Sequence, residues 1–153
     1  MNQAGHVNYR LRLAEGFLQE ARQDVGLSRW RSAIDNAQLS IENSAKAVLA
    51  ILGPVGRTHY PAGELRRSIE EKKWEESLST PVQRLMEVAE LYGFDVHVRT
   101  DYGDETDNLT PWELFDEDDA RQALEVGIEA FDLASLIVQP MNNVDSDNPG
   151  LGE

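Results

Sequence analysis

Small and apolar side chains recur every three or four positions between residues 29 and 53, and this period constrains the fold more than any other feature of the chain. The repeat consists of Trp30, Ile34, Ala37, Ile41, Ser44, Val48 and Ile51. This spacing matches the turn of an α-helix and excludes a strand, whose side chains alternate between two faces. Because many of the residues are small, a second helix can approach closely. The stretch therefore predicts the central helix of a bundle.

Helix-start and helix-stop residues predict that this central helix forms a hairpin with a preceding one. Residues 6–25 show the same apolar spacing. Gly26 is predicted to supply the left-handed residue that ends the first helix, and Ser28 to cap the central one. The central helix should stop at Gly53 and Pro54. Because the link between the two helices is short, they should pack antiparallel.

Three more helices are predicted in the rest of the chain. Pro61 should begin the third, and residues 80–83, a capping-box pattern with proline at the first helical position, should begin the fourth. The helical period is lost over residues 94–119, where we expect an ordered loop that contains a single helical turn. Asp116 should cap the last helix, and Pro140 should end it.

The expected architecture is an all-α, up-and-down antiparallel helical bundle of four long helices and one shorter helix. It forms a single domain over residues 1–140, followed by an acidic tail over residues 141–153 that should be disordered. The chain has no cysteine, which excludes disulfides, thiolate metal sites and a cysteine nucleophile. It also shows no membrane-spanning run and no secretion signal, so a cytoplasmic protein without a membrane partner is expected.

The net charge of −14 is unevenly distributed along the chain. Residues 1–99 hold 13 acidic and 13 basic side chains, whereas residues 100–153 hold 15 acidic side chains and Arg121 as the single basic one. An acidic surface repels phosphate backbones, so we expect no non-specific binding of nucleic acid. The alternative is that the acidity serves only solubility.

Two groups of polar residues are candidates for a functional site. Glu42 and Lys46 are four residues apart in the order that favours an ion pair within a helix. Since apolar residues flank them, we expect one or both to border a core or interface, with a structural rather than a catalytic role. The candidates for ligand or partner binding are Arg57, His59, Arg99 and Tyr102. A salt bridge between Arg99 and a nearby carboxylate is the local alternative.

No cofactor and no metal site are expected. Di-iron bundles need a histidine three residues after a glutamate, and no glutamate in this chain has one. The acidic residues 101–107 lack the ordered loop and the terminal glutamate of a calcium-binding hand. Glycine-rich phosphate loops require a lysine and a preceding strand, which residues 53–56 do not have.

Four sequence segments occur in an order that resembles the HEPN domain family, from about residue 9 to about residue 138. They are AIDNAQLSIENSAKAVL with Glu42 and Lys46, GRTHYPAGEL with His59, RTDYGDE with Arg99 and Tyr102, and EDDARQALEVGIEAF. The resemblance implies a helical bundle in which Glu42 and Lys46 form a polar seam on the second helix. It also implies either the partner of a small nucleotidyltransferase in a toxin–antitoxin-like pair or an accessory domain that contacts a nucleotide or RNA.

Ribonucleases of this family typically carry an arginine followed four to six residues later by a histidine. In this chain Arg57 precedes His59 by only two residues, and neither His6 nor His97 has an arginine at the required distance. No catalytic residue is therefore carried over, and a non-catalytic interaction domain is expected. The alternatives are a ribonuclease that uses a displaced Arg57 and His59, and a purely structural helical dimer of unrelated descent.

The central helix also predicts a homodimer. Its apolar surface includes Ala33, Ala37, Leu39 and Ala47 and extends beyond the roughly 100° that a surface helix needs to cover its own core. A second copy would bury the remainder together with the start of the last helix, and in a two-fold dimer the same patch meets itself. Ala37 and Leu39 are the expected interface residues.

Overall fold

Seven α-helices and one short 3-10 turn form the part of the chain that the structure describes, which is the backbone of residues 2–147 and the side chains of residues 2–140. The structure is a computed structural model. The helices are α1 (Gln3–Gly26), α2 (Trp30–Leu49), α3 (Pro61–Glu70), α4 (Ser79–Leu91), α5 (Phe94–Tyr102), α6 (Pro111–Leu114) and α7 (Glu117–Asp147), and the 3-10 turn is Glu76–Leu78. The expected all-α bundle is confirmed, with α1, α2, α4 and α7 as its long helices.

Apolar clusters at the two ends of the bundle give the relative directions of α1 and α7. Near one end of the bundle, Val7 of α1 packs with Val138 of α7, and near the other end Val25 of α1 packs with Ala120 of α7. Helices α1 and α7 are therefore antiparallel. Helix α4 contributes to a larger cluster with α2, α3 and α7. No helix within residues 2–147 combines the length and the apolar character that crossing a membrane requires.

The small residues of α2 serve the core of the single chain. Ala37 is 0 % exposed and lies opposite Gly127 of α7, where an added Cβ atom would be 3.7 Å from the Cβ atom of Ala37. The expectation that Ala37 lies on a dimer surface is therefore wrong, because α1 and α7 already cover the broad apolar surface of α2. Leu39 is partly exposed, and its role in a dimer stays a prediction.

The link between α1 and α2 differs from the prediction in its details. Ser28, not Gly26, is the left-handed residue, with φ of 59°. Its N–H donates to the Val25 carbonyl, and the Arg29 N–H donates to the Asp24 carbonyl at 2.8 Å, which is the Schellman pattern of a helix C-terminus. Ser28 therefore ends α1 instead of capping α2. The carboxylate of Asp24 accepts hydrogen bonds from side chains of α2 instead.

The predicted helix starts after residue 60 are mostly confirmed. Pro61 begins α3, and the predicted helical turn in the loop is α6. At the start of α7, the Asp119 N–H donates to the Asp116 carboxylate at 2.9 Å and the Asp116 N–H donates to the Asp119 carboxylate, so Asp116 is the expected cap. Helix α4 is different: it begins at Ser79 and has no side-chain cap, so residues 80–83 lie inside the helix and are not a capping box.

Two other expectations are wrong. Residues 94–102 were expected in a loop but form α5, which is held against α2 by tertiary contacts that the weak local period of this segment does not reveal. Helix α7 continues through Pro140 to Asp147. Proline removes one backbone hydrogen bond, and water can replace it here because Leu136 and Pro140 are exposed. The predicted disordered tail thus begins inside α7, and its residues 148–153 lie outside the described residues.

Candidate functional site

A row of polar side chains runs along one face of α2, and we call it the α2 polar row. Its members follow one another at steps of three or four residues and therefore lie on one side of the helix. They are Arg31, Asp35, Gln38, Glu42 and Lys46. Helix α5 provides partners for Arg31 and Asp35, and the loop between α2 and α3 provides one for Glu42. The α2 polar row is thus the surface that the α2–α3 loop and helix α5 contact.

Glu42 and Lys46 form a buried ion pair at one end of the row. Glu42 is 8 % exposed and Lys46 is 6 % exposed, and the ammonium group of Lys46 lies 3.5 Å from Oε2 of Glu42. The two side chains thus form an ion pair within one helix, at the border of the core. Charges this deeply buried are tolerated only when paired, because each loses most of its hydration.

His59 joins this pair from the loop between α2 and α3. Its Nδ1 atom lies 3.6 Å from Oε1 of Glu42, and its side chain is 67 % exposed. Glu42 therefore faces Lys46 with one carboxylate oxygen and His59 with the other. At this distance the carboxylate and the imidazole are neighbours without a hydrogen bond between them.

A second polar centre lies further along the row, around His97 of α5. The Nδ1 atom of His97 is 3.4 Å from Oδ1 of Asp35, and its Nε2 atom is 3.9 Å from Oδ2 of Asp101. The hydroxyl of buried Thr100 donates to the carbonyl of His97 at 2.7 Å. Arg31 then donates to the carbonyl of Thr100 at 2.9 Å, so the row fixes the last turns of α5.

Phe94 separates the two centres. Its ring centroid is 6.2 Å from that of His59 and 6.4 Å from that of His97, and the ring is about half exposed. Between them, Gln38 donates to the carbonyl of Tyr92 at 3.4 Å, while its buried Oε1 atom has no hydrogen-bond partner among the described residues. The two histidines therefore border one continuous surface of polar and aromatic groups.

The remaining predicted site residues are not gathered into this centre. Arg57 is exposed in the same loop as His59, and Tyr102 is exposed at the end of α5. Arg99 lines a separate groove with Leu91 and Phe115. The expected salt bridge of Arg99 to a local carboxylate does not form, since no carboxylate of the described residues lies within 4 Å of its guanidinium.

Sequence reasoning missed the second centre. The positions of Asp35 and Gln38 in the row were readable from the steps of three and four that precede Glu42. The sequence does not reveal His97 and Thr100 as members, because residues 94–102 lack a clear helical period and their helix depends on tertiary contacts. Among the described residues, no group of three or more His, Asp or Glu side chains is arranged to hold a metal ion.

An all-α bundle with a buried Glu–Lys pair on its central helix defines the class of this protein as a small helical domain with an internal polar seam. The sequence model of the HEPN domain matches residues 7–136 of the chain. The chain therefore belongs to the HEPN domain family, and the suspected resemblance is confirmed. This membership overturns the alternative of a dimer of unrelated descent. No curated protein matches the chain.

Proposed function

We propose that this HEPN domain is a non-catalytic interaction domain, and that it pairs with a small nucleotidyltransferase in a toxin–antitoxin-like system. The observation that carries the proposal is that Glu42 and Lys46 bind each other inside the bundle, in a chain that lacks the arginine and histidine of the family's nuclease motif. A domain without that motif still offers its surface to a partner.

The experiment is co-purification with the product of a neighbouring nucleotidyltransferase gene. A tagged copy of this chain should retain the nucleotidyltransferase through size-exclusion chromatography at about 0.15 M salt, where weak charge contacts are screened. An untagged chain is the control for non-specific retention. Elution of two separate proteins, or a gene neighbourhood without a nucleotidyltransferase, would contradict the proposal.

A ribonuclease that uses Arg57 and His59 is the second candidate function. The proximity of His59 Nδ1 to the buried Glu42 carboxylate, at 3.6 Å, favours it, because catalytic imidazoles commonly have a carboxylate beside them. Under our proposal, single-stranded and structured RNA should stay intact with the purified protein, with or without divalent metal. Cleavage that is lost in both His59→Ala and Arg57→Ala would support the ribonuclease instead.

A nucleotide is a further candidate ligand, near Arg99 and Tyr102, whereas general nucleic-acid binding is not expected. The acidic residues 100–153 should prevent a mobility shift of RNA or DNA by micromolar protein at about 0.15 M salt. Salt-sensitive binding that Arg67→Glu abolishes would contradict this and would locate a basic surface on α3. Arg67 suits the test because it is exposed.

We also propose that the chain is a homodimer that uses Leu39 of α2. Light scattering should then report about twice the mass of a single chain. Leu39→Glu should lower this mass while far-UV helicity is retained, since Leu39 is only partly buried. The exposed Leu52→Glu serves as the matched control. A monomer at tens of micromolar would contradict the dimer.

A further inference from the structure

An open groove lies where α4 ends and α7 begins, and it has a volume of about 410 Å³. Helices α2, α4, α5, α6 and α7 all contribute to its walls. Its apolar lining includes Leu91, Val96 and Phe115, and its polar lining includes Arg99 and Asp119. The groove is separate from the Glu42 and His59 centre.

Leu91 is the feature that makes this groove incomplete. The residue is the last of α4, and 67 % of it is exposed although it borders a concave apolar surface. Val96 and Phe115 are also only partly buried. Scattered exposed leucines are common, but one beside a groove with further accessible apolar atoms offers a place for another apolar side chain.

The surroundings of the groove are strongly acidic. Residues 95–119 contain ten aspartates and glutamates, and Arg99 is the single lysine or arginine among them. In the described structure, Asp101 and Glu117 of this segment form ion pairs with arginines, to Arg31 and Arg121. Most of the acidic side chains therefore face solvent without a basic partner and create a negative potential around the groove.

The first turn of α7 accounts for part of this charge. Asp116 and Asp119 cap the helix, where negative charge is favourable. Asp95 and Asp118 make no hydrogen bond or ion pair among the described residues. These two carboxylates are exposed and flank the segments that line the groove.

We infer that this groove docks a basic amphipathic segment of a partner protein, with an apolar side chain against Leu91 and Phe115 and lysines or arginines against the acidic rim. A second copy of this chain does not fit, because a two-fold contact here would bring the same acidic surface against itself. The inference rests on the proposed function as an interaction domain and specifies the chemistry of the partner. Charge complementarity sets the specificity and the apolar contact sets the affinity.

The test uses a defined probe, a labelled amphipathic helical peptide with leucines on one face and lysines on the other, and measures its binding by fluorescence anisotropy. A matched peptide carries glutamates in place of the lysines. The lysine peptide should bind and the glutamate peptide should not. Leu91→Ser should weaken binding of the lysine peptide about tenfold, the effect of removing one buried leucine contact. Asp118→Asn should weaken it about threefold.

Two matched variants on the middle of α7 separate the groove from general acidity. Leu136→Ser removes an exposed leucine, and Asp132→Asn removes an exposed carboxylate, both outside the groove. Neither should change the affinity by more than about twofold. If these two variants weaken binding as much as Leu91→Ser and Asp118→Asn do, the inference is overturned. Equal binding of the lysine and glutamate peptides, or no binding at about 100 µM lysine peptide, would also overturn it.

The nucleotidyltransferase experiment distinguishes this inference from the proposed function. If the nucleotidyltransferase binds and Leu91→Ser leaves its affinity unchanged, the inferred docking at the groove is wrong and the proposed function stands. If the nucleotidyltransferase does not bind while the peptides bind as expected, the proposed pairing is wrong and the docking of a basic segment in the groove is supported. Conversion of a wild-type dimer to a monomer by Leu91→Ser would show that a second copy occupies the groove and would overturn the inference.

Discussion

The Nδ1 atom of His59 lies 3.6 Å from one carboxylate oxygen of Glu42, while the ammonium group of Lys46 lies 3.5 Å from the other. One buried carboxylate thereby connects the loop between α2 and α3 to the central helix. The lysine comes from the same helix, one turn later, so the pair needs no long-range contact to form. The histidine comes from a segment that only the tertiary fold brings to this position.

The buried ion pair should be costly to break from one side. Lys46→Met leaves the charge of Glu42 buried without its partner, and we expect the free energy of unfolding to fall by about 3 kcal/mol in urea titrations. The double variant Glu42→Gln with Lys46→Met should recover part of this loss, because both charges are gone. A loss in Lys46→Met no larger than that of an exposed pair, below about 1 kcal/mol, would contradict this account.

Two residues after the end of α3, Lys72 has a backbone conformation that favours glycine. Lys72 has φ of 55°, and the N–H groups of Lys72 and Lys73 donate to the carbonyls of Ile69 and Ser68, both at 3.0 Å. Lys72→Gly should therefore raise the free energy of unfolding by about 0.5 kcal/mol, a gain that the greater freedom of glycine in the unfolded chain reduces. Lys73→Gly is the control and should not stabilise, since Lys73 is not in the left-handed region. Thermal unfolding of the two variants makes the comparison.

Replacing either of two glycines in long helices by a larger residue should change the free energy of unfolding, in opposite directions at the two positions. A Cβ atom at Gly127 would lie 3.3 Å from the Cδ1 atom of Leu18 and 3.7 Å from the Cβ atom of Ala37, so Gly127→Val should overpack the contact of α7 with α1 and α2 and cost about 2 kcal/mol. Gly16 of α1 is exposed and has no neighbour within 4 Å of that position. Gly16→Ala should stabilise by about 0.5–1 kcal/mol. Denaturant unfolding of both variants is the measurement, and a destabilised Gly16→Ala would contradict the assignment.

Stability should depend on the ionisation of Tyr92 at alkaline pH. Partial burial raises the pKa of the Tyr92 phenol, and the negative charge of Asp119 adds to the rise. Because the folded pKa lies above the unfolded one, the contribution to stability is complete below about pH 10 and is lost as the pH rises toward the folded pKa. Tyr92→Phe should flatten this alkaline loss in unfolding measurements. Asp119→Asn should reduce it, and an unchanged profile in Tyr92→Phe would exclude Tyr92 as its source.

The local period of the chain was sufficient to predict the helical bundle and the contact between Glu42 and Lys46. Steps of three and four residues along α2 predicted a central helix, and the order of Glu42 and Lys46 predicted their contact, because both depend on helix geometry alone. The Asp116 cap and the start of α3 at Pro61 were also readable, since they depend on interactions between residues close in sequence.

Tertiary contacts decided what lies far apart in sequence or runs against local preference. Residues 94–102 lack a clear helical period, yet Arg31 and Asp35 of α2 bind His97 and Thr100 and hold this segment as α5. From the sequence alone, Ala37 extends the apolar surface of α2 beyond what one core needs. In the fold, Gly127 packs against Ala37 and buries it. Periodicity states how wide an apolar face is, but only the packed helices determine whether the chain itself covers that face. The same packing brought His59 to Glu42 and placed Arg99 in a groove of its own.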